Sequence, residues 1–228
     1  MFVLGLTGSI GMGKSATARM FRRLGVPVYD ADAAVHRLLG PGGAAVGPVG
    51  QAFPGVVRDG RVDRAALGAR VFNDPPALKQ LEAIVHPPVG QAQRRFLAQA
   101  ARRRRPLVVL DVPLLFETGG EARTDAIAVV SAPVRLQRQR VLGRPAMSRA
   151  KLDGILAQQL PDRLKRQRAD FVIPTGLGRR PALLAVRRIV TMLRHRPGQR
   201  WPPRARPRPR PARHPSRRAI HARSRARH

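Results

Sequence analysis

The chain has 228 residues, no cysteine and a formal net charge of +31 at neutral pH. The lack of cysteine excludes a disulfide framework and thiol chemistry, and the length suffices for one α/β domain with a sizeable core. The positive charge favours anionic partners such as nucleotides, nucleic acids or acidic lipids. Neither a secretory signal nor an apolar stretch of membrane-spanning length is recognisable, so we expect a cytoplasmic protein with no membrane partner.

The clearest motif is the glycine-rich segment GSIGMGKS at residues 8–15, which fits the P-loop pattern G-x-x-x-x-G-K-[ST] at every required position. It stands between an apolar run at 2–6, which predicts a buried parallel strand, and a helix-forming stretch at 16–24. In that context the loop N–H groups and the positive end of the helix bind phosphate oxygens. We expect Lys14 to contact the outer phosphates of a nucleotide and the Ser15 hydroxyl to ligate Mg²⁺.

Two carboxylates follow the second predicted strand, which covers residues 26–29. The carboxyl ends of strands form the ligand-binding edge of a doubly wound sheet, so Asp30 or Asp32 could reach the hydroxyl of a phosphate acceptor as a general base. The alternative role is that of a helix N-cap, because residues 33–39 have a helical pattern. Spacing alone does not decide which of the two carboxylates caps the helix and which is catalytic.

The long stretch at 33–105 is predicted to be a mostly helical insert between the second and third strands. Its Gly- and Pro-rich part, 40–62, is interpreted as loop. Capping and periodicity indicate one helix over 63–72 and another that begins at Pro75 and stops at the HPP sequence of residues 86–88, before a third helix. The histidine of that sequence could cap a helix or contact a substrate.

A further apolar strand, at 107–110, ends in Asp111, as in the Walker-B pattern of nucleotide-binding proteins. We expect the Asp111 carboxylate to lie near the Mg²⁺ bound at Ser15, and the alternative role is a cap on the next helix. If Asp111 lies near the metal, the P-loop and the two strand ends that carry carboxylates share one edge of the sheet.

The remaining chain predicts two more strands, at 125–130 and 169–173, with helices before and after the second of them. Five strands alternating with helices predict an α/β fold with a five-stranded parallel sheet and helices on both faces. A short helical lid is predicted at about 138–160, where Arg140 and Arg144 lie beside a break in the helical pattern and could neutralise phosphate charge. The alternative for either arginine is a solvated basic helix face.

The C-terminal residues 197–228 contain eleven arginines and no acidic residue. Arg-Pro alternation with almost no aliphatic residues predicts a disordered tail after a folded domain at 1–196. The tail could bind polyanions nonspecifically or have no role, and no helix-turn-helix, zinc or RNA-binding signature indicates a specific nucleic acid partner. Because Trp201 is the only tryptophan, its fluorescence is expected to report on the tail rather than on the fold.

Taken together, these motifs resemble the dephospho-coenzyme A kinase family of P-loop kinases. The P-loop is common to many families, whereas the Asp-Ala-Asp sequence, the His-Pro pair and the sequence DVPLLFE are more specific. The matching stretches span nearly the whole predicted domain: GLTGSIG at 5–11, GKS at 13–15, DAD at 30–32, DR at 63–64 with Leu67, HP at 86–87, DVPLLFE at 111–117, Gln137 with Arg140 and Arg144, QQ at 158–159, and ADFVI at 169–173.

The resemblance implies a three-layer α/β/α fold in which the helical insert binds the CoA substrate. The implied reaction is ATP-dependent phosphorylation of the ribose 3′-hydroxyl of dephospho-CoA, which yields CoA and ADP and completes CoA synthesis. The implied partners are ATP and dephospho-CoA, with Mg²⁺ as cofactor. Carried over onto this chain, the site residues are Asp32 and Lys14 for catalysis; Gly8, Gly11, Met12, Gly13, Lys14, Ser15, Ala16, Arg140 and Arg144 for ATP; Asp32, His86 and Leu114 for the substrate; and Ser15 and Asp111 for the metal, directly or through water.

The sequence departs from the family pattern at two places. Ala16 follows the P-loop serine where the family often has threonine, and Thr175 precedes Gly176 where many members have asparagine.

Three other functions fit part of the pattern. A different small-molecule kinase, such as a nucleoside monophosphate kinase, would share the loop, whereas a P-loop GTPase would need a guanine-binding Asn-Lys-x-Asp motif that the sequence lacks. A nucleic-acid-binding protein is suggested by charge alone.

Overall fold

A parallel sheet forms the centre of the computed structural model, which describes residues 1–72 and 74–202. Its strands and those of a separate hairpin are β1 (Phe2–Thr7), β2 (Val28–Asp30), β3 (Val57–Arg58), β4 (Arg61–Val62), β5 (Leu107–Asp111), β6 (Ala126–Ser131) and β7 (Phe171–Pro174). Five strands pair in the order β2-β5-β1-β6-β7, all parallel, while β3 and β4 form the antiparallel hairpin. The predicted α/β fold with a five-stranded parallel sheet is confirmed.

The register of the sheet brings the ends of three strands together. β5 pairs with β1 on one side and with β2 on the other, so Asp111 is aligned with both Leu6 and Asp30. β1 and β5 are buried along their whole length, as expected for apolar strands in a parallel sheet that is covered on both faces. The P-loop, which follows β1, and the carboxylates that end β2 and β5 therefore meet at one edge.

Helices cover both faces of the sheet. They are α1 (Lys14–Arg23), α2 (Ala31–Leu39), α3 (Val46–Ala52), α4 (Arg64–Val71), α5 (Pro75–Arg102), α6 (Val134–Leu142), α7 (Arg149–Ala157), α8 (Asp162–Gln167) and α9 (Arg179–Leu193), with a short 3-10 helix at Gly120–Arg123. Phe21 of α1 and Val186 of α9 pack on one face, and Leu97 of α5 packs on the other. Within the described ranges, no helix is both long enough and apolar enough to cross a membrane.

The insert between β2 and β5 has a hydrophobic core of its own. Residues 40–62, expected to be rich in loop, contain α3 and the β3–β4 hairpin, which the sequence pattern does not indicate. Val49 is fully buried, and Phe53 and Val62 are only 6% and 5% exposed. All three pack in one cluster with Leu39 of α2. Burial of these apolar side chains outweighs the loop-forming tendency of the glycines and prolines around them.

The helix α5 runs without interruption through Pro87 and Pro88, so the predicted stop at this point is wrong. A proline in a helix interior removes a backbone hydrogen bond and costs about 3 kcal/mol. Packing on both sides offsets that cost here. Val85 packs in the insert core before the prolines, and Leu97 and Ala100 pack against the sheet after them.

Helix α8 is not foreseen from the sequence, and α7, the second helix of the predicted lid at about 138–160, ends at Ala157. α8 is short and strongly polar, and its buried residue is the charged Lys165. The partner of this lysine, Glu117, lies far away in the chain. A search for apolar periodicity cannot find a helix whose buried side chain is charged and whose counter-charge is distant.

The described chain continues past the predicted domain boundary. Trp201 is partly buried against the apolar cluster on the α5 face of the sheet. Asp125 Oδ1 accepts hydrogen bonds from the backbone of Gln199 at 2.7 Å and of Arg200 at 2.9 Å. Trp201 thus contacts the folded domain, contrary to the expectation for its fluorescence. Of the predicted disordered tail at 197–228, residues 203–228 lie outside the described residues.

We expect Trp201→Ala to lower the free energy of unfolding by about 1–2 kcal/mol, because a partly buried indole is removed from the face of the sheet. Urea unfolding of the full-length chain, followed by far-UV circular dichroism, measures this change. Arg200→Ala is the matched control, since its side chain is exposed and its backbone N–H to Asp125 is retained. An unchanged free energy of unfolding for Trp201→Ala would show that this segment does not stabilise the domain.

Candidate active site

The P-loop curls in a way that its glycines permit. Gly11 and Gly13 have positive φ angles of 79° and 93°, and a Cβ at Gly11 would lie 2.5 Å from a methyl carbon of Val141. Gly13 is the N-cap of α1 and has no side chain that could satisfy the first N–H groups of this helix. Those N–H groups and the positive end of α1 are therefore available to phosphate oxygens.

The other predicted ATP-site residues lie on the same loop and helix. Gly8 directly follows β1, and Ala16 lies in the first turn of α1. The Met12 side chain is buried, and its Sδ accepts a hydrogen bond from Ala132 N at 3.1 Å. Gly8 and Ala16 can therefore contribute to phosphate binding through their backbone N–H groups. The backbone N–H of Met12 donates to the Ser9 carbonyl at 3.1 Å and so supports the turn of the loop.

Side chains from distant parts of the chain hold the P-loop from behind. Gln137 on α6 donates from Nε2 to the Ile10 carbonyl at 2.8 Å, and Ile10 N donates to Gln159 Oε1 at 3.1 Å. Thr175, after β7, donates from Oγ1 to the Met12 carbonyl at 2.6 Å. Backbone groups of the loop are thus fixed by three side chains, which pre-organises it for phosphate.

None of these three side chains is among the predicted site residues. Gln137 and Gln159 belong to stretches that match the family, but their contacts with Ile10 span 127 and 149 positions of the chain. No local pattern can indicate contacts of that range. Thr175 stands where many family members have asparagine, and it supplies a hydroxyl to the loop in that position.

The two arginines predicted for the ATP site differ in their surroundings. The Arg140 guanidinium donates to the Thr175 carbonyl at 2.8 Å, to Thr175 Oγ1 at 3.2 Å and to the Gly11 carbonyl at 3.4 Å. Arg144 is exposed, two residues after the end of α6, and its side chain has no hydrogen bond or ion pair within the described ranges. Arg140 therefore supports the P-loop, while Arg144 faces solvent in the segment between α6 and α7.

Lys14 and Asp111 form a short ion pair at the carboxyl edge of the sheet. Lys14 Nζ donates to Asp111 Oδ1 at 2.6 Å, and the Asp111 side chain is only 3% exposed. Burial raises the pKa of Asp111 above its ordinary value, the Lys14 ammonium opposes this shift, and the charges of Asp30 and Asp32 add to it. The described chain starts no helix directly after Asp111, so the alternative role as a cap does not apply.

The two carboxylates after β2 have different roles in the structure. Asp30 Oδ1 accepts a hydrogen bond from Ala33 N at 2.9 Å, which makes Asp30 the N-cap of α2. Asp32 lies in the first turn of α2, is exposed, and has no hydrogen bond or ion pair with other described residues. Of the two, Asp32 is the carboxylate that is available to an acceptor hydroxyl.

A cavity of about 400 Å³ lies between the insert and this edge of the sheet. Its walls are mainly apolar and include Ala31 and Val35 of α2 and Val85 of α5. His86, which the family resemblance assigns to substrate binding, also lines it. Leu114, assigned to the same role, is 39% exposed in the turn after β5 and is not part of the lining. The cavity provides space for an acceptor next to Ala31, the residue between Asp30 and Asp32.

The predicted metal ligands are oxygen donors of the kind that Mg²⁺ prefers. Ser15 is exposed in the first turn of α1, and Asp111 Oδ2 accepts no hydrogen bond from the described residues. The same part of the chain contains no cluster of three His, Cys, Asp or Glu side chains in metal-binding proximity. Because Mg²⁺ in kinases takes one or two protein oxygens and completes its shell with water and phosphate, Ser15 and Asp111 fit the ion.

A second buried ion pair connects the turn after β5 with α8. Lys165 is fully buried, and its Nζ lies 2.9 Å from Glu117 Oε1. The same oxygen accepts a hydrogen bond from Leu160 N at 2.8 Å. Partial burial acts to raise the pKa of Glu117, but the bonds from Lys165 and Leu160 outweigh it and hold this pKa below its ordinary value. The pair anchors the chain that follows the predicted lid.

We expect Glu117→Gln to lower the free energy of unfolding at pH 7 by about 3 kcal/mol, because it leaves the Lys165 ammonium buried without a counter-charge. Since the pKa of Glu117 is lowered, the pair stabilises the fold above the ordinary value of 4.5, and this contribution is lost as the pH falls below it. Urea unfolding across that range should therefore show the variant and the wild type converging in acid.

The control for Glu117→Gln is Asp153→Asn, which breaks the exposed ion pair with Arg138 and should change stability little. A deficit for Glu117→Gln that stays the same at every pH would contradict the ion-pair explanation.

A family model for dephospho-CoA kinase matches residues 2–177 of the chain. Curated relatives include the dephospho-CoA kinases of Paramagnetospirillum magneticum, 65% identical over 194 residues, and of Rhodospirillum rubrum, 60% identical over 194 residues. These alignments cover 85% and 84% of this chain and 92% of each relative.

Solved structures are similar as well. TT1252 from Thermus thermophilus is 37% identical and superimposes with a TM-score of 0.74, over 84% of this chain and 96% of that one. A dephospho-CoA kinase from Campylobacter jejuni, 22% identical, shares the fold with a TM-score of 0.56 over the same fractions. From the family match and these relatives, the chain belongs to the dephospho-CoA kinase family.

Proposed function

We infer that the chain is a dephospho-CoA kinase, which transfers the γ-phosphoryl group of ATP to the ribose 3′-hydroxyl of dephospho-CoA and yields CoA and ADP. Family membership supports this reaction. The observation that carries the assignment of roles is one shared edge of the sheet. Lys14 of the P-loop donates to the buried Asp111 there, and Asp111 is the cross-strand partner of Asp30, two residues before Asp32. A cavity walled by the insert lies at the same edge.

On the nucleotide side, the P-loop backbone from Gly8 to Ala16 binds the phosphates of ATP. Lys14 is held at this loop by Asp111 and exchanges that carboxylate for the outer phosphates when ATP binds. Arg140 supports the loop from behind. Arg144 belongs to a lid formed by α6 and α7 and reaches the phosphates when the lid closes over ATP.

Ser15 and Asp111 hold Mg²⁺ together with ATP, directly or through water. The departure of Lys14 to the phosphates frees both carboxylate oxygens of Asp111 for this task. When bound, the ion neutralises charge on the phosphate oxygens. Because Asp111 is buried, solvent screens the attraction between its carboxylate and the ion only a little.

On the acceptor side, the insert binds dephospho-CoA. The cavity of about 400 Å³ has the size and apolar lining of a pocket for a flat ring system, which suits the adenosine end of this substrate. His86 contacts the substrate from the cavity wall, and Leu114 does so from the turn after β5. Both assignments follow the family resemblance.

Asp32 accepts the proton of the 3′-hydroxyl as the hydroxyl oxygen attacks the γ-phosphorus. The bond from the γ-phosphorus to the β–γ bridging oxygen breaks, and ADP leaves with that oxygen. Lys14 and the loop N–H groups stabilise the negative charge that spreads over the transferred group. Asp32 suits this role because Asp30 supplies the helix cap, so Asp32 can turn toward a substrate without breaking a hydrogen bond.

The test is ADP release by the full-length chain with Mg-ATP and a panel of acceptors: dephospho-CoA, AMP, CMP, shikimate and adenosine. Turnover that depends on dephospho-CoA and exceeds that with every other acceptor is the expected result. A chain that binds ATP but turns over AMP, CMP or shikimate in preference would be a different small-molecule kinase, and the proposed function would be wrong.

A further inference from the structure

A second cleft, of about 650 Å³, lies on the insert, and basic side chains outnumber acidic ones in its lining. His36 of α2, Arg64 of α4 and the hairpin arginines Arg58 and Arg61 all line it. We propose that this cleft binds the diphosphate group of dephospho-CoA and thereby selects this acceptor over nucleosides without a diphosphate. The proposal rests on the proposed function, since it assigns a subsite for the same substrate.

The hairpin places two like charges opposite each other. Arg58 and Arg61 are direct cross-strand partners, so their side chains leave the hairpin on the same face. The tight turn between them, at Asp59 and Gly60, has positive φ angles of 50° and 68°. Like charges in such a pair destabilise a hairpin, and an anion bound between them removes that cost. Two guanidinium groups on one face also match the paired oxygens of a diphosphate.

The remaining two basic groups of the lining, Arg64 and His36, contact each other. Arg64 Nη1 lies 3.3 Å from His36 Nδ1, which links the start of α4 to the middle of α2. The acidic residue beside them, Asp63, caps α4 by accepting hydrogen bonds from Ala65 N at 2.9 Å and Ala66 N at 3.1 Å. Asp59 lines the cleft as well, and both carboxylates offset part of the positive charge there. The three arginines outnumber these two carboxylates, so the cleft keeps a net positive charge for an anionic ligand.

The cleft lies at the right distance from the proposed base. Asp32 and His36 are four residues apart on α2, so they share one side of the helix about 6 Å apart along its axis. In dephospho-CoA the reacting 3′-hydroxyl and the 5′-diphosphate belong to the same ribose. A ribose that presents its 3′-hydroxyl to Asp32 can therefore extend its diphosphate along α2 toward His36 and the arginines.

The experiment compares the full-length wild type with the double variant Arg61→Gln/Arg64→Gln. Arg70→Gln is the matched control, because Arg70 lies on the same helix as Arg64, is exposed and does not line the cleft. KM is measured for dephospho-CoA and for ATP, and adenosine is measured as a competitive inhibitor against dephospho-CoA. Adenosine carries the reacting ribose but no diphosphate, so its inhibition constant reports on the ribose site without the cleft.

We expect the double variant to raise KM for dephospho-CoA by about tenfold to a hundredfold, the size of losing charge-assisted phosphate contacts. KM for ATP and the inhibition constant of adenosine should stay near the wild-type values, as should all constants of Arg70→Gln. An unchanged KM for dephospho-CoA overturns the proposal, and so does a parallel loss of adenosine binding. If the wild type itself does not phosphorylate dephospho-CoA, the proposed function fails instead.

Discussion

Replacing Asp32 with asparagine should lower kcat by about 10²–10⁴-fold, while the affinity for ATP stays near that of the wild type. An amide cannot accept the proton of the acceptor hydroxyl, whereas its shape and hydrogen-bonding groups leave the binding sites intact. Asp32 is exposed and lies outside the P-loop, so the nucleotide loses no contact. Steady-state kinetics with dephospho-CoA, together with direct titration of ATP, measures the two effects separately.

Asp30→Asn is the matched control for this variant. It removes the same charge two residues earlier, and asparagine caps a helix as well as aspartate does, so the bond from Ala33 N can persist. We expect Asp30→Asn to retain most of the wild-type turnover. Near-normal turnover in Asp32→Asn, or an equally large loss in Asp30→Asn, would remove Asp32 from the role of base.

Replacing Lys14 with methionine should lower kcat by about 10²–10³-fold, because a preorganised charge that stabilises the transferred phosphoryl group is lost. The same variant should be less stable without nucleotide, by about 3 kcal/mol near neutral pH, because Asp111 then lies buried without its cation. Burial already raises the pKa of Asp111, and loss of the opposing Lys14 charge raises this pKa further.

The stability deficit of Lys14→Met should depend on pH with a definite sign. A carboxyl whose pKa is raised in the folded state binds protons more tightly there than in the unfolded state, so stability falls as the pH rises through and above the ordinary value of 3.8. Urea unfolding should therefore show a deficit that shrinks in acid. The double variant Lys14→Met/Asp111→Asn should recover most of the stability but none of the turnover. A double variant as unstable as Lys14→Met would contradict this origin of the deficit.

The features that could be predicted from the sequence are those whose chemistry is local. The P-loop is contiguous, and Asp111 ends an apolar strand, so the sheet edge that carries both is recognisable without coordinates. The choice between Asp30 and Asp32 is different. Both residues follow the same strand, and both are suitable helix caps. The hydrogen bond from Ala33 N to Asp30 Oδ1 identifies Asp30 as the cap. That bond depends on where α2 begins, which spacing leaves open by one or two residues.

The features that could not be predicted depend on contacts between distant residues. The helix α5 passes through Pro87 and Pro88 because packing on either side offsets a local cost. The fragment around Val49 folds because it completes a separate core that spans several elements of the insert. Gln137 supports the P-loop from a position 127 residues away in the chain. None of these outcomes is encoded within a window of neighbouring residues.

Identifying the product is the most direct test of the claim that this chain phosphorylates the ribose 3′-hydroxyl of dephospho-CoA. The full-length protein would be incubated with Mg-ATP and dephospho-CoA, and the mixture would be followed by ³¹P NMR spectroscopy and mass spectrometry. The expected result is one new 3′-phosphomonoester signal, with CoA and ADP formed in equal amounts. Release of inorganic phosphate without that signal, or a phosphate at another position of the acceptor, would contradict the claim.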